Sequence, residues 1–276
     1  MKITAQQVNE LRKITGAGMM DCKNALVECE GDLEKAIDIL RKKGQKVAAK
    51  RADREAGEGV VLAKVSDDNK FAAAVMVNCE TDFVAKNADF IAYVQGVLDL
   101  AIENKAADLE ALKALSYNGR TVEETITDQT GKIGEKIQLA HYELVEAESV
   151  YAYIHPGNRI ASIAGFNKVG DNYAAAGKDI VMQIAAMSPV ALDKDFVSQE
   201  TIDREIEIGK EQARQEGKPE AMLDKIAMGK LNKFFKENTL LNQAFIKDTK
   251  SSVAQYLASV EKGLTVTAFK RLALQS

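Results

Sequence analysis

The chain has 276 residues, 46% of them apolar and 28% charged, with three prolines and no tryptophan. That length supports one to three domains with a sizeable core, and the composition is that of a helix-leaning soluble protein. No apolar run approaches the roughly 18 residues of a membrane span, and the start "MKITAQQVNELRK" lacks the apolar core of a signal peptide. A cytoplasmic protein with no membrane contact is expected.

The cysteines, Cys22, Cys29 and Cys79, are odd in number and form no CxxC pair, which argues against a disulfide framework and a zinc site. His141 and His155 are the only histidines. The net charge of −4 speaks against nucleic-acid binding by the chain as a whole. The charge is uneven, however. Residues 1–54 hold 12 Lys/Arg against 8 Asp/Glu, a net of +4, which leaves −8 for the remainder. The densest basic run is "RKKGQKVAAKR", residues 41–51. It is a solvated helix end and linker, or a surface for RNA or an acidic partner.

Three short helices are expected first. Thr4 caps the first, with Gln7 completing a capping box, and Val8, Leu11 and Ile14 fall at helical spacing. "TGAG" (15–18) stops it. "MMDCKNALVECE" forms the second, ended by Gly31. Asp32 caps the third, with Leu33, Ala36, Ile37 and Leu40 on one face and Gly44 as its end. A basic linker, "QKVAAKRADREAGEG", follows.

The pattern then turns to strands. "GVVLAKV" (59–65) and "FAAAVMVNC" (71–79) flank the turn "SDDNK", a hairpin signal. Helical spacing resumes from about Ala85 to Glu103, then in "DLEALKAL" and "TVEETITDQTGKIGEKI", before a third strand at 138–148. The same order returns: "SVYAYIH" (149–155) and "RIASIAGF" (159–166) around "PGN", the helix "AGKDIVMQIAAM", the later helix "DTKSSVAQYLASV", and the strand "LTVTAFKRL" (264–272). Even the turns agree, Asn69-Lys70 matching Asn158-Arg159. The fold class is therefore α+β, a duplication in which each half is a three-stranded antiparallel sheet with helices on one face. The second half carries an insertion, residues 198–238, read as two helices broken at "GKP". In it Ile202, Ile206, Gly209 and Ala213 face Leu223, Ile226 and the stem of Lys230 in an antiparallel coiled-coil hairpin.

No phosphate loop of the GxxxxGK[ST] type and no nucleophile with a paired base is present, so no catalytic residue and no cofactor is assigned. Binding is the better reading, and two stretches carry it. Met19 and Met20 are adjacent where a loop becomes a helix. One fills the small core, and the other is free for mobile apolar contacts. In "NCETDFVAKN" (78–87), an acid and a large ring, Asp82 and Phe83, stand together on a turn between strand and helix.

"LRKITGAGMMDCKNAL", "NCETDFVAKN" and the "GKP" of the helical hairpin resemble, in order and spacing over essentially the whole chain, the elongation factor Ts family of nucleotide-exchange factors. The resemblance implies a ubiquitin-associated-like module with a basic linker at 1–54, a core subdomain at 55–148, and a second at 149–276 that carries the hairpin. The implied partner is elongation factor Tu, met through its GTPase domain and a further domain, with no direct nucleic-acid contact. Thr81, Asp82, Phe83 and Val84 match the loop that intrudes beside the partner's magnesium site, so the Phe83 ring should be exposed in the free protein; the alternative is a core ring folded back under its own helix. Arg12, Met19 and Met20 match contact residues of the N-terminal module. His155, in "HPGNRI", matches a histidine near the partner's phosphate-binding loop. The resemblance allows a homodimer through core or hairpin surfaces. Some members continue into a C-terminal helical module. Because this chain stops at Ser276, that grip is expected to be missing. The basic run keeps a second class open, an RNA-associated translation adaptor.

Overall fold

The computed structural model describes residues 3–170 and 172–275. Its contacts divide into two compact units. One holds the chain up to Leu62, Val75–Glu143 and the chain from Leu272, and the other holds Ala63–Ala74 and Leu144–Arg271.

The N-terminal helices are α1 (Ala5–Thr15), α2 (Met19–Glu28) and α3 (Leu33–Arg51). Local chemistry sets their ends. Thr4 and Gln7 form the expected capping box, Gly16 closes α1 at φ 64°, and the Asp32 side chain accepts from the Lys35 N–H to start α3. Their apolar stripes meet in a small core of Val8, Leu11, Cys22, Ala25, Leu26 and Ala36. Burying a side chain the size of Leu11 or Leu26 stabilises by roughly 1.5–3 kcal/mol, so a core this small leaves little margin.

Gly44 does not end α3. The helix runs through it to Arg51, and the first half of the expected linker is helical. After Ala52 come β1 (Glu58–Val65), β2 (Phe71–Cys79), α4 (Asp82–Ala85), α5 (Ala88–Asn104), α6 (Leu109–Ala114), β3 (Ser116–Tyr117), β4 (Arg120–Thr121), α7 (Val122–Ile133) and β5 (Gln138–Glu146). The reason for Gly44 is its partner, Gly131 of α7. A Cβ added at Gly131 would lie 2.5 Å from the Gly44 Cα, so the two backbones touch where a side chain would hold them apart. In a helix a glycine that cannot be read as a stop is often such a contact. The β3–β4 hairpin was not among the expected elements, although Asn118 and Gly119, at φ 54° and 81°, are the residues such a tight turn needs.

The second series is β6 (Ser149–Ile154), β7 (Ile160–Phe166), α8 (Tyr173–Met187), α9 (Gln199–Gln215), α10 (Leu223–Asn238), β8 (Ala244–Phe245), β9 (Asp248–Ser252), α11 (Val253–Val260) and β10 (Val266–Ala273). The sheets have the orders β1-β2-β5 and β10-β7-β6. In both, the second strand of the hairpin is central and the last strand of the series lies beside it, which is the duplicated α+β architecture read from the sequence. The hairpin turns repeat in detail. The Ser66 N–H donates to the Phe71 carbonyl as the His155 N–H does to that of Ile160, both at 2.8 Å, and Asn69 and Asn158 take φ of 54° and 56°. Phe166, Tyr173, Ile180, Ile184, Leu257 and Val266 lie in the core of the second series.

One reading of this half is corrected. Asp248–Ser252 is a strand paired with β8, not the start of a helix, and α11 begins only where Ser252 and Gln255 form a capping box. In the α9–α10 hairpin, Gly209 packs on Ala227, Leu223 and Leu231 are buried, Ile226 is partly covered, and Lys230 reaches across to Gln212 and Glu216 at 2.9 and 3.3 Å. Gly217, at φ 72°, makes the turn.

The glycine contact gives an asymmetric prediction. Gly131→Ala should lower unfolding stability by about 1–3 kcal/mol, because the methyl meets backbone that cannot swing away. Gly44→Ala, whose new Cβ would sit 3.5 Å from the Gly131 Cα, should be neutral or gain up to about 1 kcal/mol of helix propensity. Urea unfolding of both variants checks this, and equal losses would refute the assigned geometry.

Candidate functional site

Thr81–Ala85 is better described as a capped helical turn than as open loop. The Thr81 hydroxyl oxygen accepts from the Val84 N–H, and the Ala85 and Lys86 N–H groups bond to the carbonyls of Thr81 and Asp82. A single turn is unfavourable by itself, because fixing its dihedrals yields few hydrogen bonds. Its order comes from the flanks. Downstream, the Asn87 side chain caps α5 by accepting from the Asp89 and Phe90 N–H groups. Upstream, the Cys79 thiol donates to the Thr81 carbonyl at 3.2 Å.

The firmest anchors come from distant segments. Glu135 Oε2 accepts from the backbone N–H groups of Glu80 (3.2 Å) and Thr81 (3.0 Å), and its Oε1 accepts from the Thr81 hydroxyl at 2.7 Å. Glu80 accepts two bonds from Arg51 Nη1 at 2.8 and 2.9 Å and one from the Lys136 N–H at 2.6 Å. The Lys136 N–H, followed by Arg51, holds the Glu80 carboxyl below the usual carboxylate range. Lys136 Nζ in turn donates to the carbonyls of Ala52 and Arg54 at 2.7 and 3.0 Å, just past the end of α3.

On this anchored turn Phe83 leaves 83% of its surface exposed. The alternative of a ring folded back into the core is thus excluded by its position. Asp82 is half-exposed and pairs with Lys86, Oδ2 to Nζ 2.7 Å, across one helical turn. That bond holds its carboxyl below the ordinary range, so it is anionic at neutral pH.

Met19 and Met20 are both exposed, at 55% and 62%. The expectation that one fills the core is corrected: Cys22, Ala25 and Leu26, further along α2, take the inward positions. Arg12 is exposed on α1 and shares a cleft of about 230 Å³ with Val84. Gly16, Ala17 and Gly18, the loop that leads into Met19, also line the cleft. Asn87, Asp89 and Phe90 line it with Val84. The structure thereby brings Arg12 and the approach to Met19 to Val84, at the end of the Thr81–Val84 turn and far away in sequence; Thr81, Asp82 and Phe83 do not line the cleft. His155 is exposed at the tip of its hairpin, its Nδ1 3.0 Å from the Tyr153 hydroxyl.

The supporting residues Arg51, Glu80, Glu135 and Lys136 were not found from sequence. Their separations carry no periodic signal. The spacing of four between Asp82 and Lys86 is the one signal that could have been read, as a local i,i+4 pair, and it was not. Among the described residues, no group of three or more His, Cys, Asp or Glu side chains could hold a metal ion.

Sequence comparison places the chain among the translation elongation factors. The profile of the family described as Elongation factor TS matches residues 80–276. The chain is 56% identical over 273 residues to the Elongation factor Ts of Christiangramia forsetii, covering 99% of each protein. It is 52% identical over 277 residues to that of Porphyromonas gingivalis, covering 100% of each. To that of Chloroherpeton thalassium it is 44% identical, covering 96% of this chain and 94% of the relative. It belongs to the elongation factor Ts family.

Cys79 offers a check on the anchoring. Burial, reinforced by the charge of Glu135, pushes its thiol up to about 12, and the bonded proton is the one given to Thr81. A pKa raised in the folded state means stability that is intact below the ordinary thiol value and lost as pH rises towards 12. At pH 8–9 Cys79 should react with iodoacetamide only as fast as the protein opens. Labelling at the rate of a free thiol in native buffer, located by peptide mass spectrometry, would contradict the burial.

Proposed function

We propose that this protein binds elongation factor Tu in its GDP form and accelerates GDP release, so that GTP can enter during translation elongation. The observation that carries the reading is Phe83: a large apolar ring held out to solvent on an anchored turn, next to an ionised carboxylate, in a member of the elongation factor Ts family. No bond in a substrate is made or broken. The proposed setting is the cytoplasm.

In this reading the Thr81–Val84 turn enters beside the partner's magnesium ion. Magnesium demands near-octahedral oxygen geometry, so small displacements of its ligands weaken its binding. It also neutralises much of the phosphate charge. Phe83 shifts partner segments as a wedge. Asp82 exchanges Lys86 for the ion's surroundings, and nucleotide leaves faster. The coupling is reciprocal: the factor by which this chain weakens nucleotide is the factor by which nucleotide weakens its own hold, so incoming nucleotide expels it. The module of residues 1–54 docks on the GTPase domain through Arg12, Met19 and Met20, and the cleft shared by Arg12 and Val84 supports one continuous surface for these contacts. His155, exposed on the second subdomain, approaches the phosphate-binding loop. The RNA-adaptor reading loses ground because Arg41, Lys43 and Arg51 pair with Asp38, Asp21 and Glu80.

The test is release of labelled GDP from elongation factor Tu. Phe83→Ala should change stability by less than about 0.5 kcal/mol, as an exposed side chain, yet slow stimulated release about tenfold, roughly 1.4 kcal/mol of barrier. Asp82→Ala should slow it in the same direction. Both defects should shrink when magnesium is chelated beforehand. Release at the wild-type rate by both variants would overturn the reading. A defect equally large without magnesium would remove the magnesium route.

A further inference from the structure

The Thr81–Ala85 turn is too short to hold itself, and Phe83 lacks the burial that would fix its place. Something else must set where the ring points. One carboxylate stands out. Glu135 follows the end of α7 and is remote in sequence, yet it takes both backbone N–H groups that lead into the turn and the Thr81 hydroxyl. Three donors on one carboxylate are charge-assisted bonds, the strong class. The Thr81 hydroxyl hydrogen goes to Glu135, which aims the oxygen's lone pair at the Val84 N–H, the cap of the turn. Glu135 therefore selects the Thr81 rotamer on which the cap depends. Its neighbour Lys136 gives its N–H to Glu80, whose carboxylate is clasped by Arg51 at the end of α3.

We infer that Glu135 is a positioning residue for the Phe83 wedge, holding the turn rigid through the Glu80 and Thr81 amides and the Thr81 hydroxyl, with Glu80 joining that turn to α3 through Arg51. The inference rests on the exchange function proposed above. Glu135 itself need not touch the partner. Its effect is to keep the ring in the orientation that does its work at entry, so that ordering the turn costs nothing further on binding.

The prediction separates positioning from docking and from general stability. The maximal rate of GDP release is measured at saturating concentrations of Glu135→Ala, Glu135→Gln, Phe83→Ala and the Phe83→Ala/Glu135→Ala double variant, beside the concentration giving half of that rate. Far-ultraviolet circular dichroism at the assay temperature confirms folding, and amide hydrogen exchange reports on Thr81. With Glu135→Ala the maximal rate should fall about tenfold while the half-saturating concentration moves less than about threefold. Exchange at the Thr81 amide should accelerate. Glu135→Gln keeps the shape and one acceptor oxygen, so it should fall between wild type and alanine, and it decides the matter should the alanine variant fail to fold. The double variant should be no slower than Phe83→Ala alone, because a positioner has nothing left to position. A Glu135 variant with the wild-type maximal rate, or a double variant whose defect is the product of the two single defects, would overturn the inference while leaving the exchange function standing. Wild-type protein that fails to speed GDP release would overturn the exchange function, and the positioning role in it, whatever Thr81 does.

Discussion

The carboxylate of Glu80 is the joint on which the candidate site depends. It accepts both bonds of the Arg51 guanidinium at the end of α3 and the backbone N–H of Lys136. The Glu80 N–H goes to Glu135. Helix α3, the segment after α7 and the turn after β2 are thereby tied within hydrogen-bond lengths of one residue. Removing one partner from such a cluster leaves the others desolvated and unanswered, which is why a clasp of this kind is costlier to break than its net worth in stability suggests. The contact of Gly44 with Gly131 does the same job for the helices themselves, bringing α3 against α7 closely enough that the clasp can form.

What this firmness supports is an exposed apolar ring. Phe83 contributes little to folding, because it is nearly as accessible folded as unfolded. Its burial free energy, roughly 1.5–3 kcal/mol for a side chain of this size, is left for an encounter with another surface. A ring on a floppy loop would lose part of that to ordering. On a turn held by Glu135, Cys79 and the Asn87 cap, the loss is already borne by the fold. Asp82 adds a charge whose alternative partner, Lys86, sits one turn away and is itself exposed. In the proposed exchange cycle these two features act together: the ring displaces, the carboxylate competes, and the reciprocity of the coupling returns the protein to its free state when nucleotide arrives.

Much of this was legible in the sequence because local rules decide it. Thr4 with Gln7, Asp32, and the Asn69 and Asn158 turns each state their conformation within a few residues, and the repeated order of strands and helices disclosed the duplicated sheets. Gly44 misled because a helix-interior glycine and a helix stop look alike until the partner backbone is known. Ser251 and Ser252 misled because a helical apolar pattern began just downstream, while the pairing of β9 with β8 is a tertiary matter. The Met19-Met20 pair was assigned half to the core because the module is so small; Cys22 and Leu26 fill that space instead. The exposed ring of Phe83 was foreseen from the motif. Its anchors were not, since hydrogen bonds between residues 51, 80, 135 and 136 follow from the path of the backbone and leave no spacing to read.

The central claim is that the Phe83 ring enters the partner's nucleotide site. Replacing Phe83 by the photoreactive benzoyl-phenylalanine and irradiating the mixture with elongation factor Tu in its GDP form tests it most directly, with the crosslinked peptides read by mass spectrometry. The account predicts a crosslink to the segments of the GTPase domain that surround the magnesium ion, weakened by excess nucleotide. A probe at position 83 that labels no part of that domain, while the same probe at position 20 does, would contradict it.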